Sequence, residues 1–221
     1  MADDLHYTCL LVVLAYLSGS LPVSFLLAKR AGIDLRRVGS RVASPGNAWR
    51  TAGPTIGAIA IAGEVAKCAL PLALTRLAGG SDQATILVGL AAMVGHDWPV
   101  FLGFDGGRGV SSGLVALLFV SPLWLTLALI PFGLLTVLLG DSAPAALITF
   151  ALLPALGLAL GVPLGLAVLS LGVMAVACLR RVTAPPVQGT EAIGGWRRTL
   201  NRLVFDRPVR DPDEWRHLLG G

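Results

Sequence analysis

Two segments of this chain concentrate the residues able to bind or transform a ligand. The first is Gly106-Gly107-Arg108-Gly109-Val110, preceded by His96-Asp97-Trp98-Pro99-Val100-Phe101. Glycines leave backbone N–H groups uncovered, Arg108 adds a fixed positive charge, and the apolar run from Val110 offers a helix N-terminus aimed at the same place. The segment therefore predicts a cradle for a phosphate group. The second runs from Gly32 through Asp34, Arg36, Arg37, Gly39 and Ser40 to Ser44, Pro45, Gly46, Asn47 and Arg50. Backbone N–H groups, small hydroxyls, an amide and forked guanidinium groups are the donors that phosphate oxygens take. A basic loop beside a membrane has the same composition, and residue types alone leave both readings open.

Other polar residues are conspicuous because their neighbours are apolar. Glu64 and Lys67 lie three apart, on one face of a helix. Isolated charges inside a bilayer cost roughly 2.5–3.5 kcal/mol each on insertion scales, so this pair reads as a structural ion pair first and a ligand-binding one second. His96 closes an apolar run beside Asp97. It reads either as a capped histidine at the membrane interface or as a group suited to proton traffic, since imidazole titrates near neutral pH. Ser20, before Leu21-Pro22, and Ser142, between Asp141 and Ala143-Pro144, are by themselves turn or helix-packing hydroxyls.

The scaffold that must position these groups is strongly apolar. Hydrophobic residues make up 55% of the 221 and charged residues only 14%, with a mean hydropathy of +0.77. Such a composition excludes an ordinary soluble domain and predicts an all-α polytopic membrane protein of about seven transmembrane helices. The apolar runs fall at 7–28, 53–75, 84–102, 109–121, 122–139, 143–160 and 162–179. Asp3 and Asp4 precede the first run and Lys29-Arg30 follow it, flanks reversed for a cleaved signal peptide, so a retained first helix is expected. Basic residues gather in the loop holding Lys29, Arg30, Arg36, Arg37, Arg41 and Arg50, in the loop of Arg108, and at Arg180-Arg181. By the positive-inside rule this predicts an N-terminus outside and a cytoplasmic C-terminus in a multi-pass protein of the cell membrane.

The expected division is a transmembrane domain over 1–182 and a cytoplasmic tail over 183–221. The tail mixes Trp196, Leu200, Leu203, Val204, Phe205 and Trp215 with arginines, a pattern for an amphipathic helix on the membrane surface. Cys9, Cys68 and Cys178 lie in apolar runs without ligand spacing and read as packing residues, so no metal is expected. Membrane topology accounts for the net charge of +4, and the lipid bilayer rather than nucleic acid is the expected partner. The chain shows no internal repeat of the kind that marks many transporters.

Taken in order, several motifs resemble the bacterial membrane glycerol-3-phosphate acyltransferase family that uses acyl phosphate as donor. They are Gly19-Ser20-Leu21-Pro22, Gly32-Ile33-Asp34-Leu35-Arg36 with Gly39-Ser40, Asn47-x-x-Arg50, Glu64-x-x-Lys67, Gly95-His96-x-x-Pro99-Val100-Phe101, Gly106-Gly107-Arg108-Gly109-Val110, and Gly189-Thr190-Glu191. The resemblance implies a seven-helix enzyme that transfers the acyl group of acyl phosphate to the hydroxyl of glycerol 3-phosphate, giving lysophosphatidic acid for phospholipid synthesis. It implies no cofactor, and neither coenzyme A nor acyl carrier protein as direct donor. A paralogue or other lipid-synthesis enzymes would be its protein partners. Ser40, Arg50 and Arg108 would be the catalytic, phosphate-holding set. Ser20, Arg36, Gly39, Asn47 and His96 would bind substrate around them, with Gly106, Gly107 and Gly109. Ser142, Thr190 and Glu191 complete the expected binding residues.

The chain also departs from the family's pattern. The family's Gly-rich lysine is Arg108 here, a fork in place of a point charge. Its first loop, Gly-Ser-Gly-Asn-x-Gly-Ala-Thr-Asn, reads Gly39-Ser40-Arg41-Val42-Ala43-Ser44-Pro45-Gly46-Asn47. No His or Asn lies between Met174 and Leu200, where the family's third motif carries both. None of His6, His96 and His217 is followed five residues on by Asp, so the dyad of soluble-type acyltransferases is missing. A catalytically impaired member that binds phospholipid precursors or partners an active paralogue is the alternative. A small transporter, with Glu64, Lys67 and His96 lining a path, stands third.

Overall fold

The computed structural model describes residues 5–185, 194–211 and 214–215, and among them every regular element is helical. The chain forms two compact units, residues 1–122 and 123–221.

In the first unit the opening apolar run is two helices, α1 (Leu5–Gly19) and α2 (Val23–Arg30), where an unbroken span over 7–28 was expected. Pro22 has no N–H to continue the helical ladder, and the elbow at Ser20-Leu21-Pro22 is fixed from elsewhere. Ser20 Oγ donates to the Tyr16 carbonyl (2.8 Å), and Lys67 Nζ donates to the Leu21 carbonyl (2.7 Å). Helix α3 (Pro45–Ala52) starts on Ser44, whose hydroxyl accepts from Asn47 N–H, with Pro45 pre-set for the first turn. The long α4 (Pro54–Leu77) packs against α1, α2, α3, α5 (Asp82–Asp97) and α6 (Val110–Val120), which makes it the axis of the unit. A 3₁₀ turn at Val100–Leu102 follows α5.

Helices α1 and α5 approach backbone to backbone. A Cβ on Gly19 would strike the Ala92 carbonyl, and one on Gly95 the Tyr16 carbonyl, so small residues permit the crossing. Tyr16 Oη ties the end of this contact by donating to the Trp98 carbonyl (3.0 Å).

The second unit contains α7 (Pro122–Leu139), α8 (Ser142–Leu160), α9 (Leu164–Thr183) and α10 (Gly195–Phe205). Trp124 at the start of α7 is buried and donates to Ser170 Oγ on α9 (3.0 Å). Helix α10 packs on α8 and α9 and is held by arginines. Arg181 donates to the carbonyls of Leu203 (2.8 Å) and Ala143 (2.9 Å), and Arg207 pairs with Asp141 (2.7 Å), the N-cap of α8.

Among the described residues, six segments are long and apolar enough to cross a bilayer: Leu5–Arg30, Pro54–Leu77, Asp82–Leu102, Pro122–Leu139, Ser142–Leu160 and Leu164–Thr183. The run expected as a fourth span over 109–121 is the 11-residue α6. At 1.5 Å per residue it covers about 16 Å, roughly half of a hydrocarbon core, and does not cross alone. The chain is a multi-pass membrane protein, and exposed side chains such as Ile130, Leu134 and Val137 on α7 are the surface it offers to lipid.

Candidate active site

The polar centre of the first unit is the Glu64 carboxylate. Its Oε1 accepts from the Ser24 hydroxyl (2.8 Å) and the Ser24 N–H (3.2 Å). Its Oε2 lies 2.7 Å from Lys67 Nζ and 3.1 Å from His96 Nδ1. Glu64, Lys67 and His96 are all buried, as a charged group inside apolar helices must be when each partner compensates another. Lys67 Nζ also meets the Leu21 carbonyl freed by the elbow, while Ser18 Oγ donates to the Lys67 carbonyl (2.6 Å). One carboxylate therefore joins α2, α4 and α5, and its lysine joins the elbow to them. Ser24 escaped the sequence reading because a serine in an apolar helix carries no signal beyond its polarity.

Beside this hub lies a small pocket. The elbow supplies Ser20, Leu21 and Pro22, the first loop supplies Ala43, and α4 supplies Glu64 and Lys67. His96, Pro99, Leu102, Gly106 and Gly107 close it from α5 and the glycine-rich segment.

The glycines do not act as expected from the sequence. Gly106 N–H donates to the Asp97 carbonyl (3.2 Å) and Gly107 N–H to the His96 carbonyl (3.0 Å), so both donors are taken by the end of α5 and neither is open to an anion. Their role is steric. A Cβ on Gly106 would strike the His96 carbonyl and Pro99, and one on Gly107 would fall on the His96 ring. Gly109, at φ +70°, caps α6, where a side chain would also meet Asp97 Oδ2. The anion-attracting element left here is the first turn of α6, beside Arg108.

Asn47 likewise has no amide hydrogen to spare for a phosphate. Its Oδ1 accepts from Ser40 N–H (3.1 Å), and its Nδ2 donates to the carbonyls of Leu35 (3.0 Å), Val38 (3.1 Å) and Val42 (3.1 Å). The buried amide shapes the loop and positions Ser40. Gly39 turns the chain at φ +58°, against the Asn47 side chain. Arg36 is engaged with Asp34 (3.6 Å) and stacks 4.6 Å from the Phe25 ring centroid. Arg50 stands exposed on α3.

The pocket thus gathers Ser20, His96, Gly106, Gly107 and the Glu64–Lys67 pair. Ser40, Arg50, Arg36, Gly39, Asn47, Arg108 and Gly109 lie in the adjoining segments and not in its lining. Ser142 is an exposed residue at the start of α8, in the second unit. Thr190 and Glu191 lie outside the described residues. Among the described residues no cluster of three or more His, Cys, Asp or Glu could hold a metal ion.

A family model described as glycerol-3-phosphate acyltransferase matches residues 9–184 of this chain. The chain belongs to that family. A glycerol-3-phosphate acyltransferase of Roseiflexus sp. (strain RS-1) is 46% identical over 113 residues, 51% of this chain and 56% of the relative. That alignment thus spans little more than half of the relative's length. Glycerol-3-phosphate acyltransferase 5 of Dehalococcoides mccartyi is 31% identical over 216 residues, covering 93% of this chain and 91% of its own length. Among solved structures, PlsY (YgiH), an integral membrane glycerol 3-phosphate acyltransferase in its glycerol 3-phosphate form, superposes with a TM-score of 0.69. It is 27% identical and covers 79% of this chain and 88% of that one. The lysophosphatidic acid form of PlsY gives a TM-score of 0.66 at 26% identity. The glycerol-3-phosphate acyltransferase match encloses every pocket-lining residue and ends before Thr190, Glu191 and α10.

Proposed function

We propose that this family member transfers the acyl group of acyl phosphate to a hydroxyl of glycerol 3-phosphate, releasing inorganic phosphate and forming lysophosphatidic acid. The observation that carries this reading is the convergence of the elbow, the first loop and the glycine-rich segment on one pocket, all within the stretch that matches the acyltransferase family. The structures of PlsY in glycerol 3-phosphate and lysophosphatidic acid forms supply the acceptor and product. Two phosphate-bearing substrates account for two cationic segments. Arg50 and the Ser40 hydroxyl hold one phosphate, and Arg108 with the α6 N-terminus holds the other and stabilises the charge that develops as the phosphate leaves. Acyl phosphate is a reactive mixed anhydride, so positioning supplies much of the remaining acceleration. The basic loops face the cytoplasm and the N-terminus lies outside.

The test incubates purified protein in detergent with acyl phosphate and labelled glycerol 3-phosphate. Labelled lysophosphatidic acid should form, and Arg50→Ala and Arg108→Ala should each lower kcat/KM by about 10²–10³-fold. Undiminished activity in both variants would remove the phosphate-holding roles. Equal turnover of acyl coenzyme A would overturn the donor assignment. Binding of glycerol 3-phosphate without turnover would mark a catalytically silent member.

A further inference from the structure

We propose that α10 is a binding surface for anionic phospholipid, with Trp196 and Leu200 set at the top of the acyl chains and Arg197 and Arg198 on the phosphodiesters.

The position of the helix comes first. α10 packs on α8 and α9, and its tethers lie at one end of both. Arg181, in the last turn of α9, donates to the Leu203 carbonyl of α10 (2.8 Å) and to the Ala143 carbonyl in the first turn of α8 (2.9 Å). Arg202 of α10 donates to the Pro185 carbonyl just past α9 (2.6 Å). Ser142–Leu160 and Leu164–Thr183 are both long and apolar enough to cross a bilayer, so the ends they share mark one of its surfaces, and α10 is held at that surface. The exposed Leu179 and Val182 carry the lipid-facing side of α9 up to it.

The sequence of α10 divides by face. At 3.6 residues per turn Trp196, Leu200, Leu203 and Val204 share one side, and Arg197, Arg198, Asn201 and Arg202 lie round the other. Leu203 and Val204 are half-buried, whereas Trp196 is 72% and Leu200 42% exposed, so the apolar side is open over its N-terminal half. A tryptophan placed there suits the headgroup level of a membrane, since its ring is apolar in the body and polar at the N–H. The 11 residues include three arginines and no acid. Arg202 is spent on a backbone carbonyl, but among the described residues no hydrogen bond or ion pair engages the guanidinium of Arg197 or Arg198. Two unspent cations beside an open apolar face, in the plane of the headgroups, complement a negatively charged leaflet better than a neutral one. The glycerol-3-phosphate acyltransferase match ends at residue 184, so α10 lies beyond the part of the chain by which the family is recognised.

The experiment places the full chain in phosphatidylcholine nanodiscs and isolates the Trp196 fluorescence as the difference between wild type and Trp196→Phe. About one lipid in five carries brominated acyl chains, as phosphatidylglycerol in one sample and phosphatidylcholine in the other. Brominated phosphatidylglycerol should quench the difference signal by about half, brominated phosphatidylcholine at least about threefold less, and iodide in the water only weakly. Combining Arg197→Gln with Arg198→Gln should bring the two lipids level. Salt at about 0.5 M should do the same to the wild-type chain, and it carries the test if the double variant does not fold. Equal quenching by the two lipids in wild type, or a Trp196 reached by iodide and not by brominated chains, would overturn the proposal. So would a Trp196 reached by neither, which marks a protein partner or a second copy on this face. No substrate is present, so the outcome is independent of whether the chain transfers acyl groups.

Discussion

Replacing Lys67 with methionine preserves the length of the side chain and deletes the ammonium that lies 2.7 Å from Glu64 Oε2 and 2.7 Å from the Leu21 carbonyl. Both side chains of the pair are 5% exposed, so water does not take the place of the lost donor. Breaking a buried pair on one side costs about 3–5 kcal/mol, and an unmet buried carbonyl about 1–3 kcal/mol. The two overlap, because Ser24 and His96 still hold the carboxylate, which sets the expectation at about 4 kcal/mol. For a chain of this size each kcal/mol moves Tm by roughly 2–4 °C, so the variant should melt roughly 8–16 °C lower. The assay is thermal unfolding in detergent, followed by reaction of a thiol dye with Cys68, which is buried until the bundle opens. Adding Glu64→Gln should recover part of the loss, because the orphaned charge is gone. A Lys67→Met protein melting within 3 °C of wild type, or a double variant no more stable than Lys67→Met, would refute the view that charge compensation holds this unit together.

Three more outcomes follow from contacts elsewhere. Gly107→Ala places a methyl on the His96 ring; kcat should drop about 10²-fold through misplacement, and an unaffected enzyme would show that the ring has room to move. Asn47→Ala strips the four hydrogen bonds that shape the first loop. KM for glycerol 3-phosphate should rise about tenfold, given roughly 1 kcal/mol per bond and partial relaxation, with limited proteolysis appearing between Gly32 and Ser44. Asp141→Ala removes both the cap of α8 and the partner of Arg207; a loss of about 3 kcal/mol in thermal unfolding is expected, and a Tm equal to wild type would mean that α10 docks without this pair.

The apolar helices were legible because length and hydropathy are local properties: every run read from the sequence is helical, although the first is the pair α1 and α2 and not one helix. The elbow was less so, although Pro22 was in view. Pro22 alone permits a kink or a break, and the break is settled by Lys67, which supplies a donor from another helix. The spacing of Glu64 and Lys67 places them on one face of α4, yet nothing local says that His96, 32 residues further on, completes the group. The glycine-rich segment was legible only in part, for a related reason. Glycines are compatible with an anion cradle or with close packing, and only the position of the α5 carbonyls shows that packing takes the N–H groups of Gly106 and Gly107. Asn47 looked like a ligand group for the same reason that it makes a good internal brace: one side chain carries donors and an acceptor.

The charged hub of α4 also bears on how the chain enters the bilayer. Synthesis runs from the N-terminus, so the elbow carbonyl of Leu21 and the Ser24 hydroxyl are already in place when α4 leaves the translocon. Lys67 and Glu64 therefore find partners on a helix made before their own, and neither charge has to wait uncovered in lipid. His96 arrives one helix later and completes the set. In chain order, each polar group of this hub thus follows one of its partners.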